Sequence, residues 1–239
     1  LRSMGAIYFY RAEYEEALAS HNRSIELQRE LGDLSGYAEN LNKVGNIHLF
    51  RGDNDKAEAV YSAALALGRQ SGNRLAEAES LNNLGVLCYN TGQAESALSH
   101  FEACLAIKRA IGDRRSLARS LNNIALVFEM KGDFDGAIRT HVESLGLIRA
   151  INDQGSIVSG LSNLANVYEK MGLYADAMEA CREGLSISES IGDRWVMPYT
   201  LNALGQIELW LGRLHEAREA VERALAMTRQ QGQRTEECL

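Results

Sequence analysis

Carboxamides recur along this chain at a fixed interval. Asn42, Asn82, Asn122 and Asn202 share one column of a 40-residue period, and Asn83, Asn123 and Asn163 share the column one residue further on. Asparagine is a poor helix former, so its accumulation inside helical sequence needs a cause other than propensity. A carboxamide offers donors and an acceptor on one side chain. It can therefore pair with the N–H and C=O of an extended peptide without reading that peptide's side chains. The same chemistry can instead brace one helix against the next, because a buried amide must be satisfied whether or not a ligand exists. The sequence leaves both uses open.

Other chemistry is thinly represented. There is no G-x-S-x-G elbow, no phosphate-cradling glycine loop and no isolated acid pair. His21, His48, His100, His141 and His215 are scattered, and no two have the helical spacing of metal ligands. Of the four cysteines, Cys88, Cys104 and Cys181 occupy columns otherwise apolar, where a free thiol acts as a small hydrophobe, and Cys238 lies near the end. The chain reads as non-enzymatic, with no cofactor and no metal.

The elements that carry the asparagines follow from the repeat itself. Leu41-Asn42-Lys43-Val44-Gly45, Leu81-Asn82-Asn83-Leu84-Gly85, Leu121-Asn122-Asn123-Ile124-Ala125, Leu161-Ser162-Asn163-Leu164-Ala165 and Leu201-Asn202-Ala203-Leu204-Gly205 are near-copies, and Leu1 to Gly5 fits the same register. In the second copy Ala38, Leu41, Val44, Gly45 and His48 fall on one helical face, which predicts a helix from about Leu34 to Phe50. Gly52, with Gly92, Gly132, Gly172 and Gly212 in its column, marks the turn. A second helix then presents Ala57, Tyr61, Ala64 and Leu65 and ends before Gly72. Gly32-Asp33, Gly72-Asn73, Gly112-Asp113, Asn152-Asp153 and Gly192-Asp193 fuse the stop of one helix with the cap of the next. Pro198 falls within the expected first helix of the last copy, so that helix should start late, with the proline in its first turn.

Units this small cannot bury their own apolar faces and must stack on their neighbours. The expectation is one array with units near residues 1–32, 33–72, 73–112, 113–152, 153–192 and 193–232, and the start of another at 233–239. Because the register is entered and left partway through a unit, the chain is expected to be a fragment of a longer protein. Its ends, with apolar surface near Leu225 and Met227, could self-associate.

A formal charge of -7 and a pI near 5.4 argue against a phosphate-neutralising surface, and hence against nucleic acid as partner. No apolar run approaches the roughly 18 residues a membrane span requires. The expected setting is cytoplasmic, without a membrane.

Leu84, Gly85, Gly92, Ala97, Phe101 and Leu105 resemble the tetratricopeptide repeat pattern in order and spacing. The usual tryptophan of the first column is absent, the late alanine of the second helix is Cys104, and the closing proline is missing. The 40-residue period is similar to the longer subclass seen in kinesin light chains, Pins-type adaptors, bacterial peptide-sensing regulators and the sensor arrays of large bacterial signalling ATPases. The resemblance implies an all-α fold: an α-solenoid, a right-handed superhelix of six tandem helix-turn-helix units. It also implies that the second face of each first helix lines a concave groove holding a protein or peptide ligand. On that basis the groove residues are Asn42, Asn46, Asn82, Asn83, Arg119, Asn122, Asn123, Asn163, Asn166, Tyr199, Asn202, Gln206 and Trp210, flanked by Arg2, Ser3, Tyr10, Glu39, Lys43, Phe50 and Lys170. The implied function is protein–protein interaction within a larger signalling or regulatory protein. The alternative is a small-molecule sensor array in a multidomain bacterial ATPase or transcription regulator.

Overall fold

Helix propensity, the joint residues and the apolar columns agree along the chain, and the computed structural model forms helices where they agree. It describes residues 2–237, with side chains at all of these except 2, 3, 10 and 231–237. The helices are α1 (Arg2–Tyr10), α2 (Tyr14–Leu31), α3 (Leu34–Phe50), α4 (Asn54–Ser71), α5 (Arg74–Asn90), α6 (Ala94–Ile111), α7 (Arg114–Met130), α8 (Phe134–Ala150), α9 (Gln154–Lys170), α10 (Tyr174–Ile191), α11 (Met197–Trp210) and α12 (Leu214–Glu237). The described residues contain no strand. The fold is all-α, of the α-solenoid class built from tandem helix pairs.

Packing resolves two compact units, Leu1–Val127 and Phe128–Leu239. In the first, α1 to α6 each pack on the next, and α3 also touches α5. In the second, α8 to α12 do the same, and α9 touches α11.

The helix ends are set by their sequence. Gly32, Gly72, Gly112 and Gly192 adopt positive φ and close the second helix of a pair, a backbone state glycine enters without steric cost. Asp33, Asn73, Asp113 and Asp153 then accept from backbone N–H groups in the first turn of the next helix. Two left-handed positions among the described residues lack glycine: Asn152 at a joint and Ala12 in the column of Gly52. Asparagine tolerates this conformation; Ala12 carries a cost of roughly 1 kcal/mol or more. Pro198 sits at the start of α11, which has 14 residues where α3, α5, α7 and α9 have 17. The register places a joint at Gly232, yet α12 remains helical through it to Glu237. The side chains of this stretch, and all of Cys238 and Leu239, lie outside the described residues.

In the first three pairs the spacing is set by one contact. Position 5 of the repeat, on the first helix, faces position 21, on the second. A Cβ added to Gly45 would lie 2.4 Å from the Tyr61 ring, on Gly85 2.6 Å from Phe101, and on Gly5 2.5 Å from His21. Tyr61, Phe101 and His21 are all buried. The next layer forms as α4 presents Ala57 and Tyr61 to Leu84 and Leu87 of α5, with Leu49 and Leu65 at the edge. Cys104 joins Ala78, Leu81 and Ile107 in a neighbouring cluster, and Cys181 is buried with its thiol pushed up to about 11 by that burial.

Two glycine-to-alanine exchanges separate propensity from packing. Gly146, exposed in α8, has open space around an added Cβ, so Gly146→Ala should stabilise by about 0.5–1 kcal/mol. Gly85→Ala has the same propensity gain but must displace the Phe101 ring, at about 1–3 kcal/mol. Thermal melting should therefore rise for the first variant and fall or stay level for the second. A second variant that melts as much higher as the first would show that the ring does not fix the helix spacing.

Candidate peptide-binding face

The first helices place the carboxamides on one side, and the structure divides them by what each amide end does. Asn42 is fully buried, so it is removed from the ligand-facing set predicted from the sequence. Its Oδ1 accepts from Ser80 Oγ at 3.1 Å and from Asn83 Nδ2 at 3.4 Å, tying α3 to α5. Its Nδ2 has no hydrogen-bond partner. One unit along, Asn123 Nδ2 donates to Asn82 Oδ1 at 3.0 Å, tying α7 to α5. The braces that the sequence left as an alternative are therefore present for both pairs.

Bracing uses only one end of each half-buried amide. Asn83 and Asn123 donate through Nδ2, and each leaves its Oδ1 without a hydrogen bond among the described residues. Asn82 and Asn46 accept through Oδ1, the latter from Tyr61 Oη at 2.7 Å, and each leaves its Nδ2. The face thus presents acceptors and donors together. Around them, Lys43 Nζ lies 2.6 Å from Glu79 Oε1, so the two charges neutralise one another across α3 and α5. Arg119 is exposed, its guanidinium donating to Ser116 on its own helix. Asn122 is half-buried. The side chains of Arg2, Ser3 and Tyr10 lie outside the described residues.

In the second unit Asn163 is half-buried, whereas Asn166, Asn202 and Gln206 are exposed. Tyr199 is 76% exposed and Trp210 60%. Trp210 stacks on Tyr174 with ring centroids 6.5 Å apart and planes 12° from parallel, so its ring is held in place while one face stays open. Leu225, on α12, is half exposed.

Sequence reasoning missed a buried carboxylate here. Glu129 accepts from Lys170 Nζ at 2.7 Å and from His141 Nε2 at 3.4 Å. Burial alone would raise its pKa; the hydrogen bonds from His141 and Lys170, with their charge, outweigh that and hold it below the ordinary carboxylate range. Lys170 stands alone in a column that reads Tyr10, Phe50, Asn90, Met130 and Trp210 elsewhere, whereas Glu129 shares its column with Glu169 and His141 shares its column with His21. The lysine was the one legible departure; the repeat alone did not mark the cluster. Ser80 was also missed, although Asn40, Ser80, Ser120 and Thr200 make a polar column on otherwise apolar faces. Among the described residues no group of three His, Cys, Asp or Glu side chains could hold a metal ion, and no helix is long and apolar enough to cross a membrane.

Tandem antiparallel helix pairs with glycine-ring spacing and a polar face along the first helices define a helical-repeat scaffold. The tetratricopeptide repeat family matches residues 1–70, 36–110, 76–150 and 156–230, and the chain belongs to that family. No curated protein matches it by sequence. Among solved structures it is similar to BtubC (BKLC) from P. vanneervenii, at 21% identity and a TM-score of 0.83 over 92% of each chain. It is also similar to a Rap protein complexed with competence and sporulation factor, at 16% identity and a TM-score of 0.70 over 96% of this chain and 74% of that one. A third is the signal transduction ATPase with a tetratricopeptide repeat sensor from Pyrococcus horikoshii, at 14% identity and 0.79, over 94% of this chain and 36% of that one. These likenesses concern the fold.

Two measurements check the roles assigned to individual polar groups. Asn42→Ala should destabilise by about 1–3 kcal/mol through the lost brace and the void, whereas Asn166→Ala, exposed on α9, should stabilise by a few tenths through propensity. Equal melting of the two variants would remove the distinction. For Glu129, a folded-state pKa below the unfolded value means a stabilising contribution complete above the ordinary carboxylate range and lost as pH falls through the folded-state value. Stability measured by denaturant from pH 7 down to 3 should therefore drop less steeply in Glu129→Gln than in the parent; parallel curves would contradict the assignment.

Proposed function

We propose that this chain is a non-catalytic protein-interaction module that holds an extended peptide or protein segment along the first-helix face. One observation carries the reading: Asn83 and Asn123 keep free acceptors while Asn46 and Asn82 keep free donors, on rigid helices, in a repeating arrangement. An extended backbone presents N–H and C=O groups in alternation, and this face complements both. Taken by itself, the second unit offers Asn163, Asn166, Asn202 and Gln206 for the same kind of contact, with Tyr199 and Trp210 as aromatic anchors. Arg119 and Asn122 border it. The Rap protein solved with competence and sporulation factor supports this use of the scaffold. The proposed setting is a cytoplasmic signalling or regulatory protein, a context that the fold shared with the Pyrococcus ATPase sensor supports. In the sensor alternative, a small molecule takes the peptide's place.

The test is selection of peptides from a random display library followed by calorimetric titration. Each lost hydrogen bond is worth about 0.5–1.5 kcal/mol, so Asn83→Ala/Asn123→Ala should weaken a selected peptide by roughly five- to a hundredfold. Arg218→Ala, on an exposed part of α12, should leave affinity unchanged. Peptides whose affinity ignores the double variant would refute the assigned face.

A further inference from the structure

A cavity of about 250 Å³ opens between α1 and α3, lined by Ala6, Phe9, His21, Glu39, Asn40, Lys43, Asn46 and Ile47. Its origin lies in two exchanges within the repeat. One period later Asn46 and Tyr61 stand where this unit has Ala6 and His21, and there the tyrosine hydroxyl reaches the asparagine at 2.7 Å. With a shorter ring and no amide, the first unit leaves that space unfilled. The volume exceeds the roughly 150 Å³ that accommodates a benzene ring and falls short of the space a drug-sized ligand occupies.

The polar groups of the cavity have defined hydrogen-bonding directions. Asn40 donates through Nδ2 to Gln28 Oε1 at 2.8 Å and to Ser24 Oγ at 3.1 Å, so its Oδ1 is the atom facing His21 Nδ1 at 2.9 Å. His21 Nδ1 therefore carries the proton. Burial, which lowers the pKa of His21, keeps the ring neutral and leaves Nε2 as a bare acceptor. His21 is 3% exposed, and Nε2 has no partner among the described residues. Nε2 lies beneath Gly5, where any Cβ would collide with it. Asn46 Nδ2 supplies a donor. Phe9, packed edge-on against Phe50 at 5.0 Å and tilted against Tyr14 at 5.9 Å, forms an aromatic wall. Glu39 and the bare nitrogen disfavour an anion, and the charge of Lys43 is already matched by Glu79.

We propose that this cavity is a side-chain pocket for a tyrosine of the bound segment: its ring against Phe9, Ala6 and Ile47, its hydroxyl donating to His21 Nε2 and accepting from Asn46 Nδ2. The proposal rests on the peptide-binding reading and adds a residue-specific subsite to a face that otherwise reads only backbone. A phenol supplies one donor and one acceptor on a neutral aromatic body, which a phenylalanine, a carboxylate or a phosphotyrosine does not.

Amide chemical-shift titration with N-acetyl-tyrosinamide tests it. Saturable shifts confined to the surroundings of Ala6, Phe9, Asn46 and Ile47 are expected. N-acetyl-phenylalaninamide should bind about three- to tenfold more weakly, the value of one neutral hydrogen bond, and the phosphotyrosine analogue more weakly still. Ala6→Leu, at an exposed position, should melt like the parent and abolish the shifts. His21→Phe, a residue the repeat already accommodates opposite Gly85, should erase the preference for tyrosine over phenylalanine. Scattered or unsaturable shifts, equal binding of the two amides, or tighter binding of the phosphorylated one would overturn the pocket. Peptides selected by display that respond to Asn83→Ala/Asn123→Ala while tyrosinamide fails would remove the pocket and leave the face standing; tyrosinamide binding with display peptides indifferent to those asparagines would remove the face instead.

Discussion

The distance between the two helices of a pair depends on a ring lying against a residue with no side chain. Tyr61 over Gly45 and Phe101 over Gly85 bring the backbones close enough that the apolar columns on either side can interdigitate. In the second unit Ala165 takes the small position and Cys181, smaller than tyrosine or phenylalanine, stands in the ring column. The match is not uniform: the residue facing Gly5 is His21 and that facing Gly205 is Val221, so these two pairs fill less volume than Gly45 with Tyr61 or Gly85 with Phe101. Everything described on the polar face inherits its geometry from this contact, because a shift in helix spacing would move every amide on the first helices.

Much of this was legible before any coordinates. The prediction of a helix from Leu34 to Phe50, the left-handed glycines and the capping Asp and Asn residues follow from rules that act within a few residues, and α3 has those bounds. Pro198 forced a late start to α11 for the same local reason. The left-handed Ala12 was not anticipated, because alanine gives no conformational signal; only its column does. The fate of the asparagines was less accessible. Positions 42, 82 and 122 share a column, yet Asn42 is buried while Asn82 and Asn122 are half-buried. Burial at that level depends on the neighbouring helix, where Ser80 and Asn83 reach across, and helical periodicity assigns faces without resolving such contacts.

Departures from the repeat were more informative about chemistry than adherence to it. Glu129, His141 and Lys170 stand in columns that are mostly apolar or neutral elsewhere, and the largely buried Glu129 carboxylate takes hydrogen bonds from both partners. Glu208 is another case: deeply buried, it is held by Arg182 at 3.3 Å and Arg213 at 3.1 Å. A carboxylate in such a place is tolerated because charged donors reach both of its oxygens, and losing both would strand the charge. The first unit departs in the opposite direction, exchanging a tyrosine and an asparagine for smaller residues, and gains a cavity.

The amide braces have a mechanical consequence. Asn83 and Asn123 hold neighbouring helices with one end of the side chain and leave the other end unpaired, so bracing and the proposed recognition would depend on the same torsion angles. A segment that pulls on the outer ends must strain or tighten the inner bonds to Asn42 and Asn82, and the coupling is reciprocal by thermodynamic necessity. If the face binds a segment as proposed, the spring constant between adjacent helices and the affinity of the face are, within the first unit, two readings of one set of side chains: stretching the repeat would loosen its hold on a guest, and a guest would stiffen the repeat against stretching.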